Sequence, residues 1–156
     1  MPKEAQVLGA NSGELEIKGS GAQTLVKLSS EAQRKLTGRP NSVYLGLENV
    51  RGDFDAAVLT AFVNLPEDAS PRDHQNLRTE SVGLYGLRRA SIRHDNNDAP
   101  GLTFLLDITQ ILAEQSATKL LNAEQIPVRI VPDHPLPESI NIVVGQVTIF
   151  TTSTSE

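Results

Sequence analysis

The chain has 156 residues, 38% of them hydrophobic, a formal net charge of −5, and neither cysteine nor tryptophan. That length suits one domain able to bury a core, and with four Phe and two Tyr the core must be mainly aliphatic. Mild acidity without a basic face excludes nucleic acid as a main partner, and the missing thiols exclude disulfides, thiolate zinc sites and cysteine nucleophiles.

In chain order, residues 1–11 read as a linker-like segment, 12–150 as a single β-sandwich domain, and 151–156 (TTSTSE) as a frayed tail. Residues 13–18 (GELEIK) alternate, which places Leu15 and Ile17 on one side. Residues 22–28 (AQTLVKL) follow a hairpin-type break at Gly19-Ser20-Gly21. A short helix begins near Ser29, with Ser30 and Gln33 at capping-box spacing, and Gly38-Arg39-Pro40 ends it. In residues 43–47 and 58–63 both faces are fairly apolar, which predicts central, covered strands. Residues 66–79 form a polar loop, too polar to pack as an element.

Further along, residues 81–87 (SVGLYGL) predict a strand and 88–101 a second polar loop. Residues 102–106 (LTFLL) predict a strand that runs into a helix opening at Asp107. In residues 126–131 (IPVRIV), Pro127 points to a sheet edge or to the strand's first residue. Residues 140–144 and 146–150 close the chain as two strands with a kink at Gly145. About seven or eight strands, long connections and two short helices predict an all-β fold, an antiparallel β-sandwich of Greek-key or jelly-roll type.

Chemistry-bearing motifs are sparse. His74, His94 and His134 fall in separate predicted loops without ligand spacing, so no metal site is expected. Asp95-Asn96-Asn97-Asp98 starts like a calcium loop but places Ala99 and Pro100 fifth and sixth and Leu106 twelfth. Phosphate loops, nucleophile elbows and marked carboxylate pairs are missing, so no catalytic or cofactor-binding residue is expected, and a hydrolase is the least supported class. Arg88, Arg89 and Arg93, beside Tyr85 and His94, read either as an anion or docking patch or, more simply, as a solvated loop balanced by Asp95 and Asp98. Arg51-Gly52-Asp53 matches a cell-attachment tripeptide, yet ordinary turn chemistry explains it as a strand connection first and a contact loop second. No apolar run is long enough to cross a bilayer as a helix, and MPKEAQVLGANSGE lacks the apolar core of a secretory signal, so the cytoplasm is the expected compartment.

Six stretches, taken together and in order, carry a resemblance: VYLGLENVRG, AFVNLPE, SVGLYGLRRAS, GLTFLLDITQIL, IPVRIVPDHPLPE and INIVVGQVTIF. From about Ser42 to Phe150 the chain resembles the C-terminal β-sandwich domain of bacterial tyrosinase and polyphenol-oxidase-like proteins, which are type-3 copper proteins related to haemocyanin. The resemblance implies a domain that packs on a helical copper domain and covers its pocket, with a loop side chain as a plug in the latent form. The copper domain of that family holds two copper ions through six histidines on helices. This chain has three histidines in all, so the two coppers are expected only in a partner domain.

The resemblance leads to a non-catalytic accessory domain whose partner, in cis or in trans, is a tyrosinase-like copper domain. It also implies a substantial apolar patch on one face of the isolated chain, where the partner would sit. The loop after Leu47 is the expected plug or partner contact, with Phe54 first, Leu47 as the alternative, and Arg51 and Asp53 alongside. The other reading is a free-standing β-sandwich that binds a ligand or self-assembles as a homo-oligomer. Whether the chain is a cut-out domain or a complete protein stays open.

Overall fold

The computed structural model describes residues 3–37, 42–52, 57–66, 68–84, 87, 101–117, 124–140 and 142–154. Among them run β1 (Lys3–Ala10), β2 (Leu15–Ile17), β3 (Ala22–Leu28), β4 (Ser42–Gly52), β5 (Val58–Val63), β6 (Arg78–Gly83), β7 (Leu102–Asp107), β8 (Gln125–Pro132) and β9 (Ile142–Thr154). Two helices, α1 (Ser30–Thr37) and α2 (Thr109–Ala117), and 3-10 turns at Pro71–Asp73 and Gln75–Leu77 accompany them. The strands pair antiparallel in the order β6-β5-β8-β3-β1-β9-β4-β7, with β2 added to β9. β6 and β7, the two ends of that order, come into contact, so one bent sheet is nearly closed on itself. The chain adopts the expected antiparallel all-β fold, with two short helices running among the described residues.

Alternation drives the closure. On β8, Ile126, Val128, Ile130 and Pro132 are buried at every second position, and on β3 Val26 and Leu28 point in while Leu25 and Lys27 point out. Ile17, Leu45, Leu59, Ile142 and Ile149 join them in one aliphatic cluster. Each such fully buried side chain contributes about 1.5–3 kcal/mol. Ile108 and Leu112, at the start of α2 and within it, add to the same cluster. The Thr109 hydroxyl oxygen accepts the Val43 N–H at 2.8 Å and ties that helix to β4. Ser29, rather than Ser30, caps α1: its Oγ accepts the Ala32 N–H at 3.1 Å.

The ends of the chain depart from expectation. The expected linker holds a strand, because β1 pairs with β9 from Lys3 opposite Thr154 to Ala10 opposite Thr148. β9 therefore runs through most of the expected frayed tail. Ladder hydrogen bonds come from the backbone, so KEAQVLGA and FTTST pair although few of their side chains are apolar. Asn11 extends the stitch. Its N–H donates to the Val147 carbonyl at 2.9 Å, its Oδ1 accepts the Val147 N–H at 3.0 Å, and its Nδ2 donates to Thr24 Oγ1 at 3.3 Å.

Two prediction errors inside the sheet have local causes. Pro127 lies in an interior strand, between β3 and β5, and is not its first residue. It is tolerated because it faces the end of β5, where the chain turns away at Asn64 (φ 66°) and the Pro127 carbonyl accepts the Asn64 N–H at 2.7 Å. β6 lies earlier than residues 81–87, because polar groups bind it to β5. Thr79 Oγ1 accepts the Ala61 N–H at 3.2 Å, and the Ser81 and Thr60 hydroxyls are 2.6 Å apart.

Gly145 interrupts alternation without breaking the ladder. β9 is one strand, yet Val144 and Val147 are both buried, as are Val50 and Leu47 opposite them. A regular strand buries residues an even number of positions apart, so both strands change the face they present here. Asn49 (φ 54°) supplies the irregularity, and between Leu47 and Val50 the register of β4 with β7 shifts. A Cβ on Gly145 would lie 2.9 Å from the Asn49 Cβ, which is why glycine stands there.

Candidate docking face

A closed sheet has an outer surface, and its two halves are treated differently. Over β5 and β8 the chain covers itself. Phe62, Leu65 and Leu77 form a second buried cluster, with Ala69, Val131 and Ile111 of α2 packed against it. Residues 66–79, expected to be too polar to pack, thus deliver Leu77 and Ala69 onto the sheet. Arg129 on β8 pins this cover: Nη1 donates to the Ala69 carbonyl at 2.7 Å, and Nη2 donates to the Pro66 carbonyl at 3.1 Å and to Gln23 Oε1 at 2.9 Å. Asn64 Nδ2 adds a bond to Gln115 Oε1 of α2 at 3.0 Å.

Over β1, β9, β4 and β7 no segment among the described residues returns in this way. Registers align Val7, Phe150, Tyr44 and Asp107 in one row across the four strands, and Ala10, Thr148, Gly46 and Leu105 in the next. Val7 is 65% exposed and Leu105 60% exposed, large values for aliphatic side chains. Tyr44 and Phe150 are half-buried and stack, with ring centroids 5.5 Å apart and planes at 24°. A Cβ on Gly46 would lie 2.5 Å from Thr148 Oγ1 and 3.3 Å from a Phe150 ring carbon, so glycine lets the ring lie down over β4. Thr148 is 3% exposed, and among the described residues its buried hydroxyl has no hydrogen-bond partner. The result is an apolar stripe with stacked rings at its middle and an aliphatic side chain at either side.

The residues singled out from sequence fall elsewhere. Leu47 is buried in the main cluster and cannot serve as a plug while the sheet is intact, because the side chains of β4 alternate and Leu47 shares the inward face with Val43 and Leu45. Arg51 and Gly52 lie inside β4, opposite Val143 and Ile142, so the tripeptide begins in a ladder and not in a free turn. The Arg51 guanidinium forms an ion pair with Glu14. Asp53, Phe54, Arg88, Arg89 and Arg93 lie outside the described residues. His74 contacts the Ser70 carbonyl through Nδ1 at 3.0 Å, whereas the His134 ring is exposed with Nε2 3.7 Å from Asp133. Among the described residues no group of three potential metal ligands comes together. The chain's three histidines do not fit a six-histidine copper pair.

Sequence reading missed the stripe because its members come from four separate runs. Val7 lay in the supposed linker, and Tyr44 and Gly46 were read as a covered face. Only the strand order brings them side by side.

Comparison with solved structures adds a fold likeness. A structure titled latent aurone synthase (polyphenol oxidase) from natural source matches 89% of this chain with a TM-score of 0.53 at 12% identity. The match takes in 26% of that protein, so the chain spans about a quarter of its length. At that identity the likeness is one of fold alone. A turnip yellow mosaic virus structure also matches, over 99% of this chain and 96% of that one, but its TM-score of 0.33 at 10% identity carries no weight. No curated protein sequence matches the chain. The model of one family matches residues 4–152, from β1 nearly to the end of β9, and the chain belongs to that family, described as a domain of unknown function (DUF7868).

Proposed function

We propose that this chain is a non-catalytic β-domain that packs, through its bare β1-β9-β4-β7 face, on a catalytic domain of the tyrosinase or polyphenol-oxidase type and shields the copper pocket there. The observation that carries the reading is the apolar stripe of exposed Val7 and Leu105 with half-buried Phe150 and Tyr44, on a sheet that covers its outer face over β5 and β8. The fold likeness to one quarter of a polyphenol oxidase supports it, since a part of that size is a domain beside a larger body. Four strands at about 4.8 Å spacing make the stripe only about 14 Å wide. It therefore forms the apolar centre of a contact whose rim is polar, as specific interfaces of about 1,200 Å² or more are built. Neighbouring domains of one polypeptide dock readily through such centres.

The test mixes the chain with a polyphenol oxidase lacking its C-terminal domain and follows both complex formation and diphenol oxidation. A complex at micromolar concentration with slowed oxidation is expected, and both effects should disappear in a Val7→Ser/Leu105→Ser variant. Unchanged rates with no complex would sink the proposal.

A further inference from the structure

The strand order leaves part of β1 at an open edge. β9 runs along one side of β1 from Lys3 to Ala10, but β3 meets the other side only at Gly9, opposite Leu28, and Ala10, opposite Lys27. Past Leu28 the chain leaves the sheet, because Ser29 caps α1 and Ala32 of that helix joins the main cluster. Among the described residues, Lys3 to Leu8 therefore has no strand on the side away from β9. Gln6 and Val7 point to opposite faces of β1 and both are exposed, so solvent reaches this edge from either face. An edge about 20 Å long presents a row of N–H and C=O groups, which another extended segment can pair.

We propose that this edge pairs with the same edge of a second copy of the chain, antiparallel about a two-fold axis, to form one continuous sheet. Such an edge matches itself, since the axis brings each free backbone group of one copy to the equivalent strand of the other. Ladder bonds need no particular side chains, as the pairing of KEAQVLGA with FTTST already shows. β3 fixes the register. Opposed residues must share a face, so the axis passes through a residue and not between two. Centred on Gln6, the ladder would run Lys3 of the second copy into the place beside Gly9 that Leu28 holds. Centred on Glu4, it would pair only Lys3 to Ala5 among the described residues. The longest ladder that fits sets Ala5 opposite Ala5 of the second copy, with Lys3 and Val7 opposite each other on both sides. This contact lies beside the β1-β9-β4-β7 face and leaves it open in both copies, so the docking reading above neither requires it nor depends on it.

The experiment follows sedimentation and amide hydrogen exchange of the full chain from micromolar to millimolar concentration, and cross-links single-cysteine variants. A dimer should appear as concentration rises, and alternate amides between Lys3 and Leu8 should then exchange at least about tenfold more slowly. The natural chain has no cysteine, so each variant reports one position. Directly opposed residues lie about 4.5–5.5 Å apart, within disulfide reach, whereas two copies of residue 7 would be about 14 Å apart. Ala5→Cys should therefore oxidise to a linked dimer at least about tenfold faster than Val7→Cys, and a mixture of Lys3→Cys and Val7→Cys chains should link where neither does alone. A strict monomer up to millimolar concentration would overturn the proposal. So would linkage of Val7→Cys or Leu105→Cys as fast as Ala5→Cys, which would place any contact between copies on the outer face or in no fixed register. Amide protection of the β4-β9 ladder, unchanged in every variant, checks that each chain is folded.

Discussion

The outer surfaces of β5-β8 and of β1-β9-β4-β7 arise from the same pleat, and both place aromatic and aliphatic side chains outward. Over β5-β8 the chain returns with residues 64–77 and α2, so Phe62 is 5% exposed and Arg129 finds carbonyl partners on the returning segment. Over β1-β9-β4-β7 no described segment returns in that way, and Val7 and Leu105 stand in solvent. On the proposed docking reading, the difference separates stability from recognition. Apolar side chains that the chain covers itself hold the fold, and those it leaves bare are available to something else.

The strongest way to break this comparison is Phe62→Ala, which removes a buried ring and should cost about 3–5 kcal/mol in chemical denaturation. A loss under about 1 kcal/mol would mean that the cover over β5-β8 is not a packed layer. Arg129→Ala should cost about 1.5–3 kcal/mol, since it strips charged hydrogen bonds from the Ala69 and Pro66 carbonyls. Hydrogen exchange should then accelerate in residues 68–77 and leave the β1-β9 ladder unchanged; uniform acceleration would deny the local clamp.

On the bare side, Gly46→Ala should cost about 1–3 kcal/mol, because the new methyl would sit 2.5 Å from Thr148 Oγ1. Adding Thr148→Ala to the same chain should recover most of that loss, and purely additive effects would show that the two positions do not meet. The smallest stability effects belong to Val7→Ser and Leu105→Ser, each within about 0.5 kcal/mol, although together they should abolish docking. A large loss of stability from either would place these side chains in a core and remove the reason to call the face bare.

Much of the fold was legible from period and punctuation. The apolar-rich runs AQTLVKL and LTFLL, set off by turn and cap residues, marked β3 and β7, and Asp107 does bond the Thr109 N–H, at 2.9 Å, at the start of α2. The burial of Leu47 was not legible. Leu47 follows polar-free sequence and precedes a polar turn, which reads as an exit from the sheet, but the register of β4 with β7 and β9 keeps it in the core.

What the sequence determined by itself is local: which runs are extended, which face of each is apolar, where the two helices start, and that three histidines cannot build a six-histidine copper site. Those features depend on neighbours a few residues apart, within reach of pleat, turn and cap. Strand order was decided only in the tertiary structure. It joined polar KEAQVLGA to the far end of the chain through backbone hydrogen bonds and set Val7, residue 150 and residue 44 in one row. Contacts between residues so far apart are fixed by how the whole sheet closes, and no local period encodes that.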